Sequence, residues 1–438
     1  MAITAKLAVD GGPPVLDVAE HAAWPDITDA DRAEVMAVLD RGVLCGADAP
    51  AVVGLERDWA EYLGVDYCIA TNSGTAALHT AIVSLGISTG DEVIIPAYTY
   101  ISTAVAAAHH GAVPVFCDID ERTFNIDPAR IEERVTPRTR AIMPVHLHGL
   151  PADMEAIQAI ADRHGLAVIE DAAQAHGATY RGKKAGALAN CAGFSLNQTK
   201  NLPAGEGGLF VTDDPELFAV ARRVSNRGED VPRVGPGEFR VKSYVSHGLG
   251  WNYRCQELPA AMARSQLRRL DDYTQNAQRN AAILSEGLSA LTGLTPPHVP
   301  PDRTSVYYKY RVTIDPDALG VDRPAAELRD RLIRALRAEG VQALLWQIEP
   351  LPAYPAFRRN VYGPWYPALD REPLREWDPA EYPVSSRVLD SSFILGSEPH
   401  PIIVQNSSLM EAYVDAFAKV HSNLDAVLAQ PFEPLLFD

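Results

Sequence analysis

The stretch Cys191–Thr212, CAGFSLNQTKNLPAGEGGLFVT, places one lysine in a turn between two short apolar runs. The runs, Ala192–Ser195 and Leu209–Thr212, are bounded by turn residues and predict two strands. Lys200 lies in the glycine-rich segment that joins them. A solvated surface charge is a poor explanation for it, because flanking glycines allow a bulky group to approach the backbone closely. On this segment alone, a plain surface turn is the alternative.

Short apolar runs alternate with helical patterns from about residue 68 to residue 211. The other predicted strands are Tyr67–Ala70, Glu92–Ile95, Val113–Cys117, Ala141–Val145 and Ala167–Glu170. Helical patterns such as Ala76–Leu85 and Met154–His164 lie between several of them. Strands separated by helices predict an α/β fold, with a mostly parallel seven-stranded sheet between layers of helices.

We predict three parts: an N-terminal segment over residues 1–60, a large domain over residues 61–270 and a small α+β domain over residues 271–438. The length of 438 residues allows a large core and a second, smaller one. The remaining predicted elements are helices over Asp29–Leu39, Gln256–Leu288, Arg323–Glu339 and Leu409–Leu428, a strand over Tyr307–Ile314 and a loop over Gly228–Ser246. An insert rich in Pro, Trp and Tyr, at residues 353–385, is typical of a loop that carries specificity or a partner contact.

The composition excludes several classes of protein. The formal net charge is −18, and such an acidic chain is repelled by phosphate backbones, so we expect no nucleic-acid partner. No apolar run reaches the roughly 18 residues of a membrane span, and no secretory signal is visible. The five cysteines form no CxxC pair, which predicts free thiols in the cytoplasm and neither a disulfide framework nor a metal site. One phosphorylated cofactor is still compatible with this charge, because a few local donors hold a single phosphate.

A first candidate for phosphate binding is Thr71–Leu78, TNSGTAAL, between a strand and a helix. Small residues at a helix N-terminus leave backbone N–H groups free, and the helix dipole adds partial positive charge. A phosphate would bind at this helix start, and Ser195 is a candidate for a second phosphate donor. The alternative is a helix cap without a ligand.

A second candidate is the acid in Val168–Gly177, VIEDAAQAHG. An acidic residue at the carboxyl end of a buried parallel strand lies where open α/β sheets bind ligands. If the phosphorylated cofactor contains a pyridine ring, the ring nitrogen needs a carboxylate partner to stay protonated. Asp171 is our candidate for that carboxylate. Glu170 is an alternative, because a one-residue slip reverses which side chain faces the cleft. A helix N-cap role for Asp171 is a further alternative.

Many sequence motifs, in the same order along the chain, resemble those of the DegT/DnrJ/StrS family of sugar and cyclitol aminotransferases, which are pyridoxal-phosphate (PLP) enzymes of fold type I. The motifs are LAVDGGPPV, SGTAAL, GDEVIIPAYTY, DIDERTFNIDP, AIMPVHLHGLPADM, IEDAAQAHGA, FSLNQTKNLPAGEGG and GLGWNYRCQE. The resemblance covers about Leu7 to Leu270 and thins beyond it. Within the last motif, Gly250–Arg254 brings an amide, an aromatic ring and a guanidinium together. By itself that segment also fits a structural turn.

The resemblance implies a role for each matching residue. Lys200 would form the Schiff base with PLP and move the proton between cofactor and substrate. Asp171 would pair with the pyridine nitrogen, Gln174 would lie near the phenolic oxygen, and Tyr100 would stack on the ring.

The resemblance also implies how the phosphate is held. Gly74, Thr75 and Ser195 would bind it from one subunit, and Asn252 would reach it from the second. The chain is therefore expected to be a homodimer with shared active sites.

The implied reaction transfers an amino group from glutamate or glutamine to a keto-sugar or a cyclitol ketone, in an antibiotic pathway. His148, Arg254 and Trp346 are our candidates for substrate contacts, although Leu345–Pro350 matches no familiar substrate pattern. His148 is equally well explained as a satisfied buried histidine.

Two alternatives remain at the sequence level: an aromatising dehydratase of the aminohydroxybenzoate-synthase type, and a regulatory protein that holds PLP without turnover. Relatives that act as dehydratases through a histidine are disfavoured, because Lys200 is retained.

Overall fold

The computed structural model describes residues 6–230, 245–358 and 378–435. The strands in this part of the chain are β1 Tyr67–Thr71, β2 Glu92–Pro96, β3 Val113–Cys117, β4 Thr139–Ile142, β5 Ala167–Asp171, β6 Thr179–Tyr180, β7 Lys183–Lys184, β8 Cys191–Ser195, β9 Gly208–Thr212, β10 Leu294–Thr295, β11 Tyr310–Ile314, β12 Ala343–Leu344 and β13 Ser392–Leu395.

The helices of the same part of the chain are α1 Asp29–Arg41, α2 Pro50–Leu63, α3 Gly74–Ser84, α4 Ser102–Ala108, α5 Pro128–Ile131, α6 Met154–His164, α7 Pro215–Ser225, α8 Glu257–Leu267, α9 Leu270–Ser289, α10 Ala325–Ala338, α11 Pro355–Arg358, α12 Pro383–Asp390, α13 Ser407–Ser422 and α14 Leu424–Ala429. Short 3-10 helices lie at Ala8–Asp10, Val18–Glu20, Glu132–Arg134, Leu147–Gly149, Leu351–Ala353, Pro379–Glu381 and Ile402–Val404.

Local sequence signals explain several helix ends. The Ser73 side chain accepts a hydrogen bond from the Ala76 N–H and caps α3. Helix α2 begins with Pro50 in its first turn and ends before Gly64, whose φ of 77° suits glycine. These signals place the start of α3 directly after β1, at the edge of the main sheet.

The main sheet contains seven strands in the order β1-β9-β8-β5-β4-β2-β3. Strands β3, β2, β4, β5 and β8 run parallel, and β9 is antiparallel to both of its neighbours. The predicted α/β fold with a mostly parallel seven-stranded sheet is therefore confirmed. Strand β4 is shorter than predicted because Pro144 has no N–H for the ladder, so Val145 joins Asp171 only through an isolated bridge.

Helices cover the main sheet on both faces. On one face Trp59 of α2 packs edge-on against Phe194 of β8, with 5.0 Å between ring centroids. On the other face α3 and α4 pack against the sheet, where Ile82 and Phe210 are fully buried. Successive residues of β8 and β9 thus point to different cores, as expected for strands that are buried on both sides.

A second sheet, in the order β10-β11-β13-β12, is antiparallel and packs against α9, α10 and α13. Leu7 and Leu16, from the predicted N-terminal segment, are buried in the same core. The three-part division at residues 60 and 270 stays a prediction, although the two sheets fall on either side of residue 270.

Two predicted helices are each divided in the structure. The run Gln256–Leu288 forms α8 and α9, with a break at Arg268–Arg269. The two halves pack against different partners, and the Arg269 guanidinium ties the break to the Asp31 carboxylate at 2.9 Å. The predicted closing helix Leu409–Leu428 is likewise divided, into α13 and α14 at Asn423.

Two predicted loops lie mainly outside the described residues. Of Gly228–Ser246 the structure describes only the ends, and residues 359–377 of the predicted insert are also outside its range. Among the helices that it does describe, none combines the length and the apolar character needed to cross a bilayer.

Candidate active site

An open cleft of about 430 Å³ lies where the N-terminus of α3, the carboxyl end of β5 and the β8–β9 turn meet. Eight of the predicted site residues line it: Gly74, Thr75, Tyr100, Asp171, Gln174, Ser195, Lys200 and Trp346. The carboxyl ends of parallel strands are the expected position for a ligand site in such a sheet. The ordered motifs of the sequence are therefore brought together at one place.

The first turn of α3 forms one end of the cleft. A Cβ on Gly74 would lie 2.7 Å from the Cβ of Ser195, so only glycine permits this close approach. The N–H groups of Gly74 and Thr75 are at positions that have no intrahelical partner. The Ser195 Oγ accepts from the Asn197 N–H at 3.3 Å, which leaves its own hydroxyl hydrogen available. This donor set suits a phosphate.

Asp171 and Glu170 point to opposite sides of β5. Asp171 lines the cleft, and its Oδ2 accepts a hydrogen bond from the Thr103 hydroxyl at 2.7 Å. Glu170 is fully buried away from the cleft, where its Oε2 is 2.8 Å from the His146 Nε2 and also accepts from the Gly186 N–H. Of the two acids that the sequence left open, Asp171 is the one exposed to a ligand.

The carboxyl of Asp171 is unusual because it is buried without a paired cation. Burial raises its pKa above the ordinary value, and the hydrogen bonds from Thr103 and from the Ala173 N–H offset only part of that effect. A positively charged group that enters the cleft beside this carboxylate therefore stabilises its ionised form.

Gln174 is held by a layer of residues behind the cleft wall. Its Oε1 accepts from the His148 backbone N–H at 2.8 Å, which leaves the donors of its Nε2 for a ligand. His148, a candidate for a substrate contact, is not among the residues that line the cleft. It is buried, its Nε2 accepts from the Arg311 Nε at 3.1 Å, and Trp346 packs edge-on against its ring at 5.2 Å. The main chain at His148 has a φ of 57°, which is in the left-handed region.

Lys200 is the first member of a chain of hydrogen bonds along the β8–β9 turn. Its Nζ donates to the Tyr308 hydroxyl at 3.1 Å. That hydroxyl is 3.2 Å from the Thr199 Oγ1, and Thr199 itself donates to the Asn197 Oδ1 at 2.9 Å. Because the Thr199 hydrogen is used in this way, the Tyr308 hydroxyl donates to Thr199 and accepts from Lys200. The Asn197 Nδ2 completes the chain with a bond to the Glu206 carboxylate at 2.7 Å.

Two ammonium groups lie against the Tyr308 ring. The Lys200 Nζ is 4.4 Å from the ring centroid, and the Lys309 Nζ is 4.8 Å from it. Burial by itself raises the pKa of the Tyr308 phenol. The charges of the two lysines, together with the hydrogen bonds to Thr199 and Lys200, outweigh burial and hold that pKa below its ordinary value. A lowered pKa makes the phenol a stronger hydrogen-bond donor, which favours its donation to the Thr199 Oγ1.

The sequence missed Tyr308, although it predicted a strand that begins at Tyr307. The alternation of apolar and polar residues in that run predicts which side chains share a face of the strand. It does not predict which face contacts the β8–β9 turn, more than a hundred residues earlier in the chain. Two carboxylates of the cleft lining, Glu206 and Glu398, were also missed. Neither belongs to a motif that marks an acid as functional.

Asn252 and Arg254 lie outside the cleft of their own chain. The Tyr253 carbonyl accepts from the Asn72 N–H at 2.7 Å, so this segment runs along the outer side of the α3 N-terminus. Arg254 donates to the Asn226 Oδ1 at 3.1 Å and lines a separate, smaller cavity. The predicted contacts of both residues with cofactor or substrate are therefore not made within one chain.

Comparisons with known proteins agree with this geometry. The sequence matches the profile of the DegT/DnrJ/EryC1/StrS aminotransferase family over residues 25–367. It is 41% identical to the GDP-perosamine synthase of Caulobacter vibrioides over 293 residues, which are 67% of this chain and 75% of that protein. It is 37% identical to the L-glutamine:2-deoxy-scyllo-inosose aminotransferase of Streptoalloteichus tenebrarius over 371 residues, 83% of this chain and 84% of that protein.

A solved structure gives the same result for the fold. S. venezuelae DesV, determined in complex with a ketimine intermediate, has a TM-score of 0.76 against this chain at 33% identity, over 89% of this chain and 94% of that one. The chain therefore belongs to the DegT/DnrJ/EryC1/StrS aminotransferase family, whose members are PLP-dependent enzymes, and it has the fold of PLP fold type I that its motifs predicted.

Proposed function

We propose that this aminotransferase moves an amino group from glutamate or glutamine to the ketone of a sugar or cyclitol, with Lys200 as its central residue. The observation that carries the proposal is the cleft lining, where Lys200 is the only cationic side chain among the described residues and faces the same space as the buried Asp171. The relatives that act on sugars and cyclitols support this substrate class.

The finer setting is also proposed. The enzyme works in the cytoplasm, in the synthesis of a secondary metabolite such as an antibiotic, and its five free cysteines are compatible with a reducing compartment. It acts as a homodimer with shared active sites. The position of Asn252 beside the N-terminus of α3, but outside its own cleft, suits a residue that reaches the partner's phosphate.

The cleft fits PLP in three respects. Gly74 and Thr75, with the Ser195 hydroxyl, offer several donors to a phosphate at a helix N-terminus. Asp171 supplies a carboxylate for a protonated pyridine nitrogen, and the Nε2 of Gln174 supplies donors for a phenolic oxygen. When bound, PLP supplies an electron sink for the bond changes at the amine-bearing carbon.

Lys200 holds and moves the proton at its Nζ during both halves of the reaction. The Tyr308 hydroxyl accepts from that Nζ, and the donation from Tyr308 to Thr199 keeps a lone pair of the phenol directed at the lysine. The amine is therefore held at one point of the cleft while it is not covalently engaged, which reduces the entropy cost of the transfer.

The mouth of the cleft suits a polyhydroxylated acceptor. Tyr100 is 54% exposed there, and its ring with that of Trp346 offers flat apolar faces to the C–H groups of a sugar or cyclitol. The carboxylates of Glu206 and Glu398 offer acceptors for hydroxyl groups. Tyr100 is also proposed to cover the cofactor ring.

Absorbance spectroscopy tests the function directly. Protein loaded with PLP is mixed with L-glutamate or L-glutamine, and the visible band of the bound cofactor is followed. We expect the band to disappear with one equivalent of 2-oxo acid released, and to return when a keto-sugar or scyllo-inosose is added. Lys200→Ala should show neither change, whereas Lys183→Ala, which alters an exposed lysine of the β6–β7 hairpin, should behave like the wild type.

The same experiment separates the alternatives. A regulatory protein that holds PLP without turnover would keep its band with every donor. An aromatising dehydratase would release an aromatic product without consuming an amino donor. Either result would contradict the proposed transamination.

A further inference from the structure

A second, narrower cavity lies behind the Tyr308 segment and shares no lining residue with the cleft. Its internal volume is about 20 Å³, which is room for a single water-sized group. The polar side chains on its wall are His148, Lys309 and Arg311, together with Thr123, His298, Ser305 and Tyr307. Among the residues that the structure describes, no aspartate or glutamate lines it.

Two of these side chains are buried cations without an acidic partner. Lys309 is 4% exposed and Arg311 is 2% exposed. Arg311 donates only to neutral groups: the Tyr98 hydroxyl, the His148 Nε2 and the Ser392 hydroxyl. The Lys309 ammonium makes no hydrogen bond or ion pair to another described residue. It lies over the Tyr308 ring, and its charge also acts on the His148 ring.

His148 adds a third donor. A guanidinium can only donate, so the His148 Nε2 must accept from Arg311, and the neutral ring carries its hydrogen on Nδ1. Burial, and then the charge of Arg311, hold the pKa of His148 well below its ordinary value, so the ring stays neutral. Its Nδ1 is buried and has no partner within the described chain.

The acids close to the lining residues along the chain are engaged elsewhere. Glu121 pairs with Arg387, and Asp302 pairs with Arg303. Asp118 accepts from the Val384 N–H and from Ser385, and Asp120 accepts from the Thr123 N–H and hydroxyl. Neither lines the cavity. A buried charge that lacks a partner costs several kcal/mol, so native proteins pair such charges almost without exception. Among the described residues, the cavity wall therefore carries two cations and a free N–H but no acid, which suits an anion.

We propose that this cavity is a binding site for a small monovalent inorganic anion of the chloride class, held by Lys309, Arg311 and the Nδ1 of His148. The narrowness of the space excludes an organic substrate. Its separation from the cleft makes the site independent of the amino donor and of PLP. The bound anion neutralises the lysine that lies against the Tyr308 ring on the side of this cavity.

Diffraction from crystals of the wild-type protein grown with sodium bromide tests the site without any mutation. Bromide replaces chloride and scatters anomalously near its absorption edge. We expect an anomalous peak within contact distance of the Lys309 Nζ, and the same peak position in crystals without PLP. A water molecule at that position with no anomalous signal would overturn the proposal.

Thermal unfolding gives the matching solution test. The Tm of the PLP-loaded protein is measured in sodium chloride and in sodium gluconate at equal ionic strength. We expect a saturable rise in Tm with chloride for the wild type and for Lys183→Met, and no chloride-specific rise for Lys309→Met. Lys309→Gln, which keeps a donor but removes the charge, should respond weakly and serves if the methionine variant fails to fold. Indifference of the wild-type Tm to chloride, or a full response in the Lys309 variants, would contradict the site.

Discussion

Lys200 and Lys309 both lie against the ring of Tyr308, yet their surroundings differ completely. Lys200 opens on a wide cleft that also contains Asp171 and Glu206. Lys309 is buried in a narrow cavity that has no acid on its wall. A lysine side chain is therefore accessible to a substrate in the cleft, whereas in the narrow cavity it can only bind a small group.

This difference is the basis on which we propose Lys200, and not Lys309, as the reactive lysine. Proximity to a tyrosine is common to both residues, so it does not distinguish them. Access to a space that also offers a phosphate-binding helix terminus and a buried carboxylate belongs to Lys200 alone. Substitutions of the two lysines, of Tyr308 that lies between them and of Asp171 can therefore separate what charge, access and positioning each contribute to catalysis.

The largest expected effect comes from Lys200→Arg. The guanidinium keeps the positive charge but cannot give up its proton, so general acid–base catalysis is lost. We expect transamination to fall by about 10⁴-fold or more, measured as amine formed from a keto acceptor. Lys183→Arg is the matched control and should keep wild-type activity. Substantial activity in the Lys200 variant would end the distinction between the two lysines.

Asp171→Asn should have the next largest effect. It removes the carboxylate that stabilises a protonated pyridine nitrogen, and we expect a loss on the order of 10²-fold in kcat. Glu170→Asn, one residue away on the other side of β5, should instead lower Tm because His146 and two backbone N–H groups lose a buried partner.

The thermal stability of the PLP-free protein should depend on pH through Asp171. The pKa of the Asp171 carboxyl is raised in the folded state, so the folded protein binds this proton more tightly than the unfolded chain does. That contribution to stability is present at low pH and is lost as the pH rises through the raised pKa. PLP-free Asp171→Asn should therefore be at least as stable as the wild type at neutral pH in thermal unfolding. A clear loss of Tm would contradict the uncompensated burial of this carboxyl.

Tyr308→Phe should have a moderate effect. It removes the acceptor for the Lys200 Nζ but keeps the ring, and one hydrogen bond is worth about 1 kcal/mol, or roughly fivefold. We expect kcat to fall by about that factor with KM for the amino donor nearly unchanged, and the pH profile of kcat to shift. An unchanged pH profile would indicate that Tyr308 has only a packing role.

The smallest expected effect on catalysis comes from Lys309→Met. The cavity shares no lining residue with the cleft, and Lys309 acts on the cleft only through the Tyr308 phenol. The fall in kcat/KM should therefore be smaller than the roughly fivefold expected for Tyr308→Phe. Steady-state kinetics at saturating chloride checks this. A loss comparable to that of Tyr308→Phe would mean that the second lysine takes part in the reaction after all.

The sequence predicted the sheet and the cleft because both depend on local signals. Glycine at position 74, an acid at the end of β5 and a lysine in the β8–β9 turn are each readable where they occur. Contacts between distant segments were not readable in the same way. The hydrogen bond from Lys200 to Tyr308, the burial of His148 against Arg311 and the break at Arg269 each depend on packing between parts of the chain that lie far apart.

Mass spectrometry after borohydride reduction tests the central claim most directly. Borohydride fixes a lysine-bound pyridoxal phosphate as a stable adduct, and peptide mapping then identifies the modified residue. We predict one adduct per chain, on Lys200, and none on Lys309 or Lys183. An adduct on another lysine, or a reduced protein without any adduct after loading with PLP, would contradict the account.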